Sequence, residues 1–306
     1  MLPPISGNTQ SYLDQLTQMQ TEMQNLQQQV TSGLRVQKPG DDPAAVGPIL
    51  DTQTRIAQLQ QNQTNLGQVQ TELQTGDGAL QTAIQALESA MSLASQSSSL
   101  STTPAQQAAL LQQAQGIQQT LVNISTTTAN GRYVFSGDLD QQALYALDPT
   151  QPTGVKQLAT ATSTRAVLDA NGSPVWTART ASDIFDARTA GGAPAANNVF
   201  AAVNSLITAL QTNNISGAIN SISSLQAAHD YLNQQLGYYG IGETRVTDAL
   251  TAQSTALVSE QQQLSGLRDT DIASAALQLS QLTVEQQAAL TSKAKLSQLS
   301  LFNFLA

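Results

Sequence analysis

The side chains able to do chemistry are few and poorly placed for it. The chain holds one histidine, His229, and no cysteine. This removes a thiolate nucleophile, a disulfide, a thiolate zinc site and a Cys–His dyad. His229 stands four residues after Leu225 and three before Leu232, on the apolar stripe of a helical pattern. A satisfied histidine in or beside a bundle core is the expectation there, not a catalytic base. A Ser–His–Asp triad would need this lone histidine and a serine on a Gly-x-Ser-x-Gly turn, and the sequence has no such turn. Asp41-Asp42 is a carboxylate pair that could hold a cation or act in acid–base work. However, Asp42 directly precedes Pro43, and Asp as N-cap before a first-position Pro is a helix start. Arg268, Asp269 and Asp271 read the same way, as a charged or capping group before Ile272 whose ion pairs contribute under about 1 kcal/mol. Trp176 is the only tryptophan, expected in a small core and not on a binding surface. These residues imply no catalytic set, no metal site and no cofactor.

Composition points the same way. Of 306 residues, 40% are hydrophobic, 11% charged and 4% aromatic. Glutamine, serine, threonine and alanine are abundant. This suits long helices with polar, uncharged outer faces and argues against a thick aromatic core. The net charge is −9, and the four lysines and eight arginines are scattered. Neither nucleic acid nor an anionic membrane surface is therefore an expected partner. No apolar run approaches the roughly 18–20 residues of a membrane span, so membrane insertion is not expected. The N-terminus lacks a basic stretch followed by an apolar one, so export without a cleavable signal peptide is the expectation if the protein leaves the cell.

The elements that position these residues are mostly helices. Tyr12, Leu16, Met19, Met23, Leu26 and Val30 alternate spacings of four and three over a first helix at 12–31, with 1–11 expected to be unstructured in isolation. A second helix begins at Asp42-Pro43 and carries Leu59, Leu66, Leu73, Leu80 and Leu87 at heptad spacing, weakened locally by Gly76 and Gly78. Ser97-Ser98-Ser99 and Ser101 mark a loop, and Thr103-Pro104-Ala105-Gln106 has the form of a capping box. The third helix carries Leu110, Ala114, Ile117, Leu121 and Ile124, with Asn130-Gly131 as its expected stop. Tyr133-Val134-Phe135 reads as a strand, and Thr164–Leu168, Asn171-Gly172 and Val175-Trp176 as a hairpin. Helical pattern returns at Val199 and continues through Val246, Leu257 and Leu267, with Gly237, Gly240 and Gly242 kinking one long helix or separating two. Ile272, Ala276, Leu279, Leu282, Leu290, Leu296 and Leu299 form a looser closing stripe that runs into Phe302 and Phe304. The expected fold is mainly α: a long heptad-patterned helical bundle built from N- and C-terminal segments, with a small β-containing inserted domain. The division expected is 1–40 plus 270–306 for terminal coiled-coil assembly, 41–135 plus 198–269 for the bundle, and 136–197 for the insert.

Neither terminal stripe has an obvious partner within its own segment, so each must bury itself elsewhere. An isolated helix of about 20 residues is marginal in water. Residues 1–40 and about 275–306 are therefore expected to be mobile in the monomer and to order on assembly. The expected interface comprises Leu16, Met19, Met23, Leu26, Val30, Ile272, Leu279, Leu282, Leu296, Leu299, Phe302 and Phe304.

One segment is distinctive: Ser32-Gly33-Leu34-Arg35-Val36-Gln37-Lys38-Pro39-Gly40-Asp41-Asp42-Pro43-Ala44-Ala45. With Asn8-Thr9 and the heptads before it, this stretch resembles the N-terminal region of the bacterial flagellin superfamily. Lys38-Pro39 and Pro43 are more similar to the hook-associated branch than to filament flagellin. Gly131-Arg132-Tyr133-Val134-Phe135-Ser136-Gly137, Asp269-Thr270-Asp271-Ile272-Ala273 and Leu299–Leu305 resemble further motifs of the group, whereas 140–197 matches poorly. Leu2-Pro3-Pro4 departs from the usual start. The resemblance implies a structural subunit of the bacterial flagellum that joins hook to filament, exported by the flagellar type III apparatus to the outside of the cell. Its implied partners are copies of itself in a ring, the hook-side junction protein, flagellin, and an export chaperone gripping the C-terminal region. It implies terminal helices paired in an inner tube, with the insert facing outward. Filament flagellin is the nearest alternative, and a generic coiled-coil adaptor a remote one.

Overall fold

The computed structural model describes residues 5–98, 103–168 and 174–305, with side chains described for 10–98, 103–167 and 174–295. Its helices are α1 (Ile5–Ser32), α2 (Pro43–Ser97), α3 (Pro104–Ser125), α4 (Ala181–Ile184), α5 (Val199–Gln211), α6 (Ile215–Arg268) and α7 (Ile272–Leu305). Six short strands make three separate antiparallel hairpins: β1 (Thr128–Ala129) with β2 (Arg132–Tyr133), β3 (Tyr145–Leu147) with β4 (Val155–Gln157), and β5 (Ala166–Leu168) with β6 (Pro174–Thr177). The chain is mainly α with a small β-containing region, as the periodicity predicts. It divides into two compact units, Met1–Gln58 with Ala256–Ala306, and Leu59–Thr255.

The unit of 59–255 is built on the leucine heptads. Leu66, Leu73, Leu80 and Leu87 are all buried, in one apolar cluster with Leu110, Ala114 and Leu121 of α3 and Leu225, Leu232, Tyr239 and Val246 of α6. α3 starts as its sequence dictates: Thr103 Oγ1 accepts from Gln106 N at 3.3 Å, and Gln106 Oε1 accepts from Thr103 N at 2.8 Å. The helix stops earlier than expected, at Ser125, where Thr126 N donates back to Asn123 and Ile124 carbonyls. Asn130-Gly131 is not its cap. Asn130 (φ 52°) and Gly131 (φ 76°) form the two-residue turn between β1 and β2, where two successive positive φ values match the twist of a hairpin. The Tyr133-Val134-Phe135 strand shrinks accordingly to Arg132–Tyr133. Hairpin β5–β6 matches the expected strands, whereas Ser99, Ser101 and Asn171-Gly172 lie outside the described residues.

A sparse aromatic content does not mean scattered aromatics. Phe135 meets Phe185 at 5.6 Å and Tyr239 at 6.1 Å, Phe185 stacks on Phe200 at 5.8 Å, and Trp176 meets Tyr239 at 5.6 Å. Composition argues against a thick aromatic core, and the few rings are instead gathered where the 136–197 segment packs on α6. Trp176 is buried as expected, but against α6 and not in a separate core. This contact explains the glycines. A Cβ on Gly242 would lie 2.6 Å from Trp176 Cδ1, and one on Gly76 would lie 2.5 Å from Tyr239 Cε1. α6 runs unbroken through Gly237, Gly240 and Gly242 because at least the last of these is a packing site and not a hinge.

In the other unit α1 begins at Ile5, seven residues ahead of the expected start. No proline follows Pro4 within it, and a single Gly7 costs only about 1 kcal/mol in a helix. α1 and α7 pair antiparallel: Tyr12 Oη donates to Ala289 O at 3.0 Å near one end, and Thr270 Oγ1 donates to Gln29 Oε1 at 3.3 Å near the other. A second small cluster joins Val36, Ala45 and Ile49 with Leu264 and Leu267.

Candidate assembly site

The distinctive segment 32–43 folds into a compact joint within its unit. Gly33 leaves α1 with φ 73°, a value only glycine reaches without strain. The chain then lies against the end of α6 and the start of α7. Arg35 N and Val36 N both donate to Arg268 O, at 2.7 and 3.2 Å, and Thr270 N donates to Gly33 O at 2.9 Å. Arg35 ties two helix ends with one guanidinium. Nη1 meets Asp42 Oδ2 at 2.8 Å, and Nη2 donates to Leu267 O at 2.7 Å, a last-turn carbonyl that its own helix leaves without a partner. Asp42 also caps α2, accepting from Ala45 N at 3.2 Å, with Pro43 as the first helical residue.

Asp41 has a different task from its neighbour. Its Oδ2 accepts from Gln37 N at 2.9 Å and Lys38 N at 2.8 Å, closing the turn that holds Lys38 and Pro39. The Lys38 and Gln37 amides hold its carboxyl below the usual carboxylate range, and the Arg35 guanidinium does the same for Asp42. Gln37 Nε2 donates to Ser32 Oγ at 2.6 Å. Ser32, Asp41, Asp42 and Pro43 therefore act locally, as turn and cap groups, while Gly33 and Arg35 also tie the segment to the end of α6 and the start of α7. Lys38 and Pro39 are exposed on the turn. Asp271 caps α7 through Ala273 N at 3.0 Å and Ser274 N at 3.2 Å, the helix start its sequence suggested.

The terminal stripes take a definite but shallow seam. Leu26 and Ala275 are buried, whereas Leu16, Met19, Met23, Val30, Leu279 and Leu282 are half-buried. The seam on α7 runs through Ala275, Leu279, Leu282 and Ala289, so Ile272 stands exposed at 52% and Ala276 is also outside it. Leu296, Leu299, Phe302 and Phe304 lie outside the described side chains. A second face escaped the sequence reading. Leu277 and Val284 are exposed at 62% and 63%. They stand seven residues apart on one face, roughly 140–160° round the helix from Leu282. Their spacing of seven was the available signal, hidden by the closer-spaced leucines around them.

His229 is half-buried, with Nε2 at 3.6 Å from Glu88 and Nδ1 at 3.5 Å from Asp230. It borders the bundle as expected, and no nucleophile is aimed at it among the described residues. No group of His, Asp or Glu among these residues has the arrangement of a metal site. No described helix is long and apolar enough to cross a membrane.

Comparison with known proteins places these features. The bacterial flagellin N-terminal helical region matches residues 6–140. Flagellar hook-associated protein 3 of Escherichia coli (strain K12) is 26% identical over 218 residues, covering 64% of this chain and 62% of that protein. The match thus spans less than two thirds of that relative's length. A protein of Vibrio parahaemolyticus described as flagellar hook-associated shares the fold with a TM-score of 0.62 at 18% identity, over 75% of this chain and all of that one. The flagellar junction protein FlgL of Legionella pneumophila has a TM-score of 0.50 at 13% identity, over 68% of this chain and 99% of that one. The chain is thus similar in its N-terminal part to bacterial flagellin, in sequence to a flagellar hook-associated protein, and in fold to a protein described as flagellar hook-associated.

Proposed function

We propose that the chain is a structural, non-enzymatic subunit of the extracellular bacterial flagellum. It would join hook to filament by polymerising through its terminal helices. The observation that carries this reading is the apolar surface left on paired helices. Leu277, Val284 and Leu290 of α7, and Leu13 of α1, stay at least half exposed while the α1–α7 seam is already formed. An apolar face of this kind is covered when like subunits stack through unlike surfaces, which generates rings or helical arrays. The working division has three parts: 1–40 with 270–306 for assembly, 41–135 with 198–269 as the bundle, and 136–197 as the variable insert. Self-association in a ring, contact with a hook-side junction protein and with flagellin, and delivery by a chaperone that grips the C-terminal region belong to the same proposal.

The shallow seam also supports ends that are only marginally ordered in the free monomer. Hydrogen exchange on that monomer should show fast amide exchange through α1 and α7 and slow exchange through 60–97. Strong protection across both terminal helices would reject this part. Deleting residues 297–306 should leave 59–255 folded yet abolish incorporation at the hook tip. Normal filament growth with that truncation would reject the role of the closing stripe. Filament flagellin is the second reading, favoured by the match to the flagellin N-terminal region. Imaging purified flagella with an antibody against 150–167 separates the two, since label along the whole filament would select flagellin and label at the hook end the junction role.

A further inference from the structure

The α1–α7 seam carries the sulfur of its unit. The chain has no cysteine and four methionines, of which Met19 and Met23 lie on α1 and none lies on α7. These two thioethers alternate along the α1 seam with Tyr12, Leu16, Leu26 and Val30. Both residues are half-buried, so small solutes reach them while the seam is closed. The bond from Tyr12 Oη to Ala289 O sets the register at one end. Two turns inward along each antiparallel helix, Met19 comes level with Leu282, and Met23 a turn further comes level with Leu279. Leu279 and Leu282 are half-buried as well.

The seam has little apolar area to spare. Leu26 and Ala275 are its buried apolar residues among those described, so pairing beyond them rests on half-covered side chains. A methionine fills such a shallow groove well, being unbranched and polarizable. Its sulfoxide does not, because oxidation turns a flexible apolar side chain into a polar one. Turned inward, the new oxygen needs a donor. Leu16, Leu26, Leu279 and Leu282 offer none, and Thr283, the half-buried hydroxyl of that stretch, already donates to Leu279 O at 2.7 Å. Turned outward, the side chain withdraws from the seam. Either way the two helices lose apolar contact. Met91 of α2 differs, since it packs against the large enclosed cluster, which many other residues hold together.

We propose that Met19 and Met23 are oxidation sites, at which a hydroperoxide converts the thioethers of the seam to sulfoxides and loosens the pairing of α1 with α7. In each step the sulfur lone pair attacks one peroxide oxygen. The S–O bond forms, the O–O bond breaks, and the departing hydroxide takes up the proton left on the transferred oxygen. Sulfur gives up two electrons, hydrogen peroxide accepts them, and the products are one sulfoxide and one water. The change is reversible by methionine sulfoxide reductases, one for each sulfoxide epimer, so the seam is a redox-sensitive joint. The proposal rests on the seam itself and not on the assembly role given above.

The test treats the full-length protein with hydrogen peroxide at a dose that oxidises free methionine, maps the sulfoxides by peptide mass, and follows amide exchange from milliseconds upward, so that weak protection is still resolved. Met19 and Met23 should both be modified. Exchange across 13–27 and 276–288 should quicken at least about threefold, with 60–97 unchanged, because local opening is what exchange in a weakly packed segment reports. Reduction by the two sulfoxide reductases should restore the original rates. The double variant Met19→Leu/Met23→Leu, which keeps Met1 and Met91, should show no such response to peroxide. Met19→Gln/Met23→Gln, polar without oxidation, should exchange faster in both segments from the outset. The proposal is overturned if the two residues stay unmodified, if their oxidation leaves exchange in both segments unchanged, or if the leucine variant responds as the natural chain does. Should the leucine variant fail to fold, the glutamine variant decides, and exchange no faster than in the untreated natural chain overturns the proposal.

Discussion

The unit of 59–255 encloses most of its apolar residues, with Leu147, Leu158, Ile219 and Ile241 exposed, whereas the unit of 1–58 and 256–306 lines its own up and leaves most of them half open. In the first, Leu73, Leu80, Leu87, Leu121, Phe135, Phe185, Phe200, Leu206 and Tyr239 are wholly inaccessible. In the second, the buried apolar residues among those described are Leu26, Val36, Ala45, Ile49 and Ala275, and Leu13, Leu50, Val258, Ile272, Leu277, Val284 and Leu290 are exposed. Both carry heptad leucines on a glutamine-rich background. The difference lies in how many surfaces meet. A leucine on α2 in the larger unit is covered by α3 and α6 together, and two helices pressed side by side cover only a narrow strip of each. One region is thus closed over by its own chain, and the other leaves apolar surface that the proposed assembly would cover.

The largest test of this contrast is a charge placed in each region. Leu73→Asp puts a carboxylate at a fully enclosed position, and the cost should exceed about 4–5 kcal/mol. The 59–255 unit should unfold at room temperature, read as loss of its cooperative transition in circular dichroism. Leu16→Asp, at a half-buried position on α1, should cost under about 2 kcal/mol and leave that transition in place. Equal effects would show that the two regions bury their leucines alike.

Glycines sharpen the contrast within a single helix. Gly76 and Gly78 of α2 look equivalent in the sequence, and helix propensity alone gives about 1 kcal/mol of stabilisation for changing either to Ala. Gly76 faces the ring of Tyr239, which is enclosed and cannot retreat. Gly76→Ala should therefore destabilise by about 1–3 kcal/mol, the cost of overpacking. Gly78 is exposed with open space before it, and Gly78→Ala should stabilise by up to about 1 kcal/mol. Urea unfolding of the two variants reads both signs. The same sign for both would remove the packing account of Gly76.

What the residues disclosed in advance follows the same divide. The heptads of α2, the capping box at Thr103, the N-cap at Asp42 and the β5–β6 strands were legible because each is written in neighbouring residues. The gathering of Phe135, Phe185, Phe200, Trp176 and Tyr239 was not, since it joins positions far apart in the chain and rests on a close approach that glycine permits. Asn130-Gly131 was misassigned because the same pair ends a helix or turns a hairpin, and the residues before it, Ser125 and Thr126, decide the matter by ending α3 early. In the candidate assembly region, the stripe of α1 and the start of α7 were legible. The offset of the α7 seam onto Ala275 was not, because alanine is too weak a marker beside Ile272.

The joint at 32–43 gives two smaller tests of the open region. Arg35→Ala removes the solvent-screened pair with Asp42 and uncovers Leu267 O. Faster amide exchange at Arg35, Val36 and Ala45, with the 59–255 unit unaffected, is the expected result. Exchange unchanged at all three would mean that backbone pairing with Arg268 holds the joint alone.

Acid should act on the same joint with the smallest effect. Asp41 and Asp42 both titrate below their unfolded value, which lies near 3.9. A depressed carboxylate contributes stability that is fully present above the unfolded pKa and is lost as pH falls through the folded one. The joint should therefore be constant from pH 7 to about 5 and loosen only below about pH 4. Protection of the Gln37 and Lys38 amides, which Asp41 accepts, should go first. Asp138 and Asp148 of the other unit are lowered as well, by the Thr162 and Thr150 hydroxyls, so some loop amides there should follow the same course. Its helices should not, because Leu73, Leu80 and Leu87 carry no titratable dependence. Asp41→Asn should remove the pH dependence at Gln37 and Lys38 while leaving the Ala45 amide responsive through Asp42. Loss of protection near pH 6 would instead place control outside these two carboxylates, and simultaneous loss along α2 in 60–97 would mean that the enclosed region is no more robust to acid than the open one.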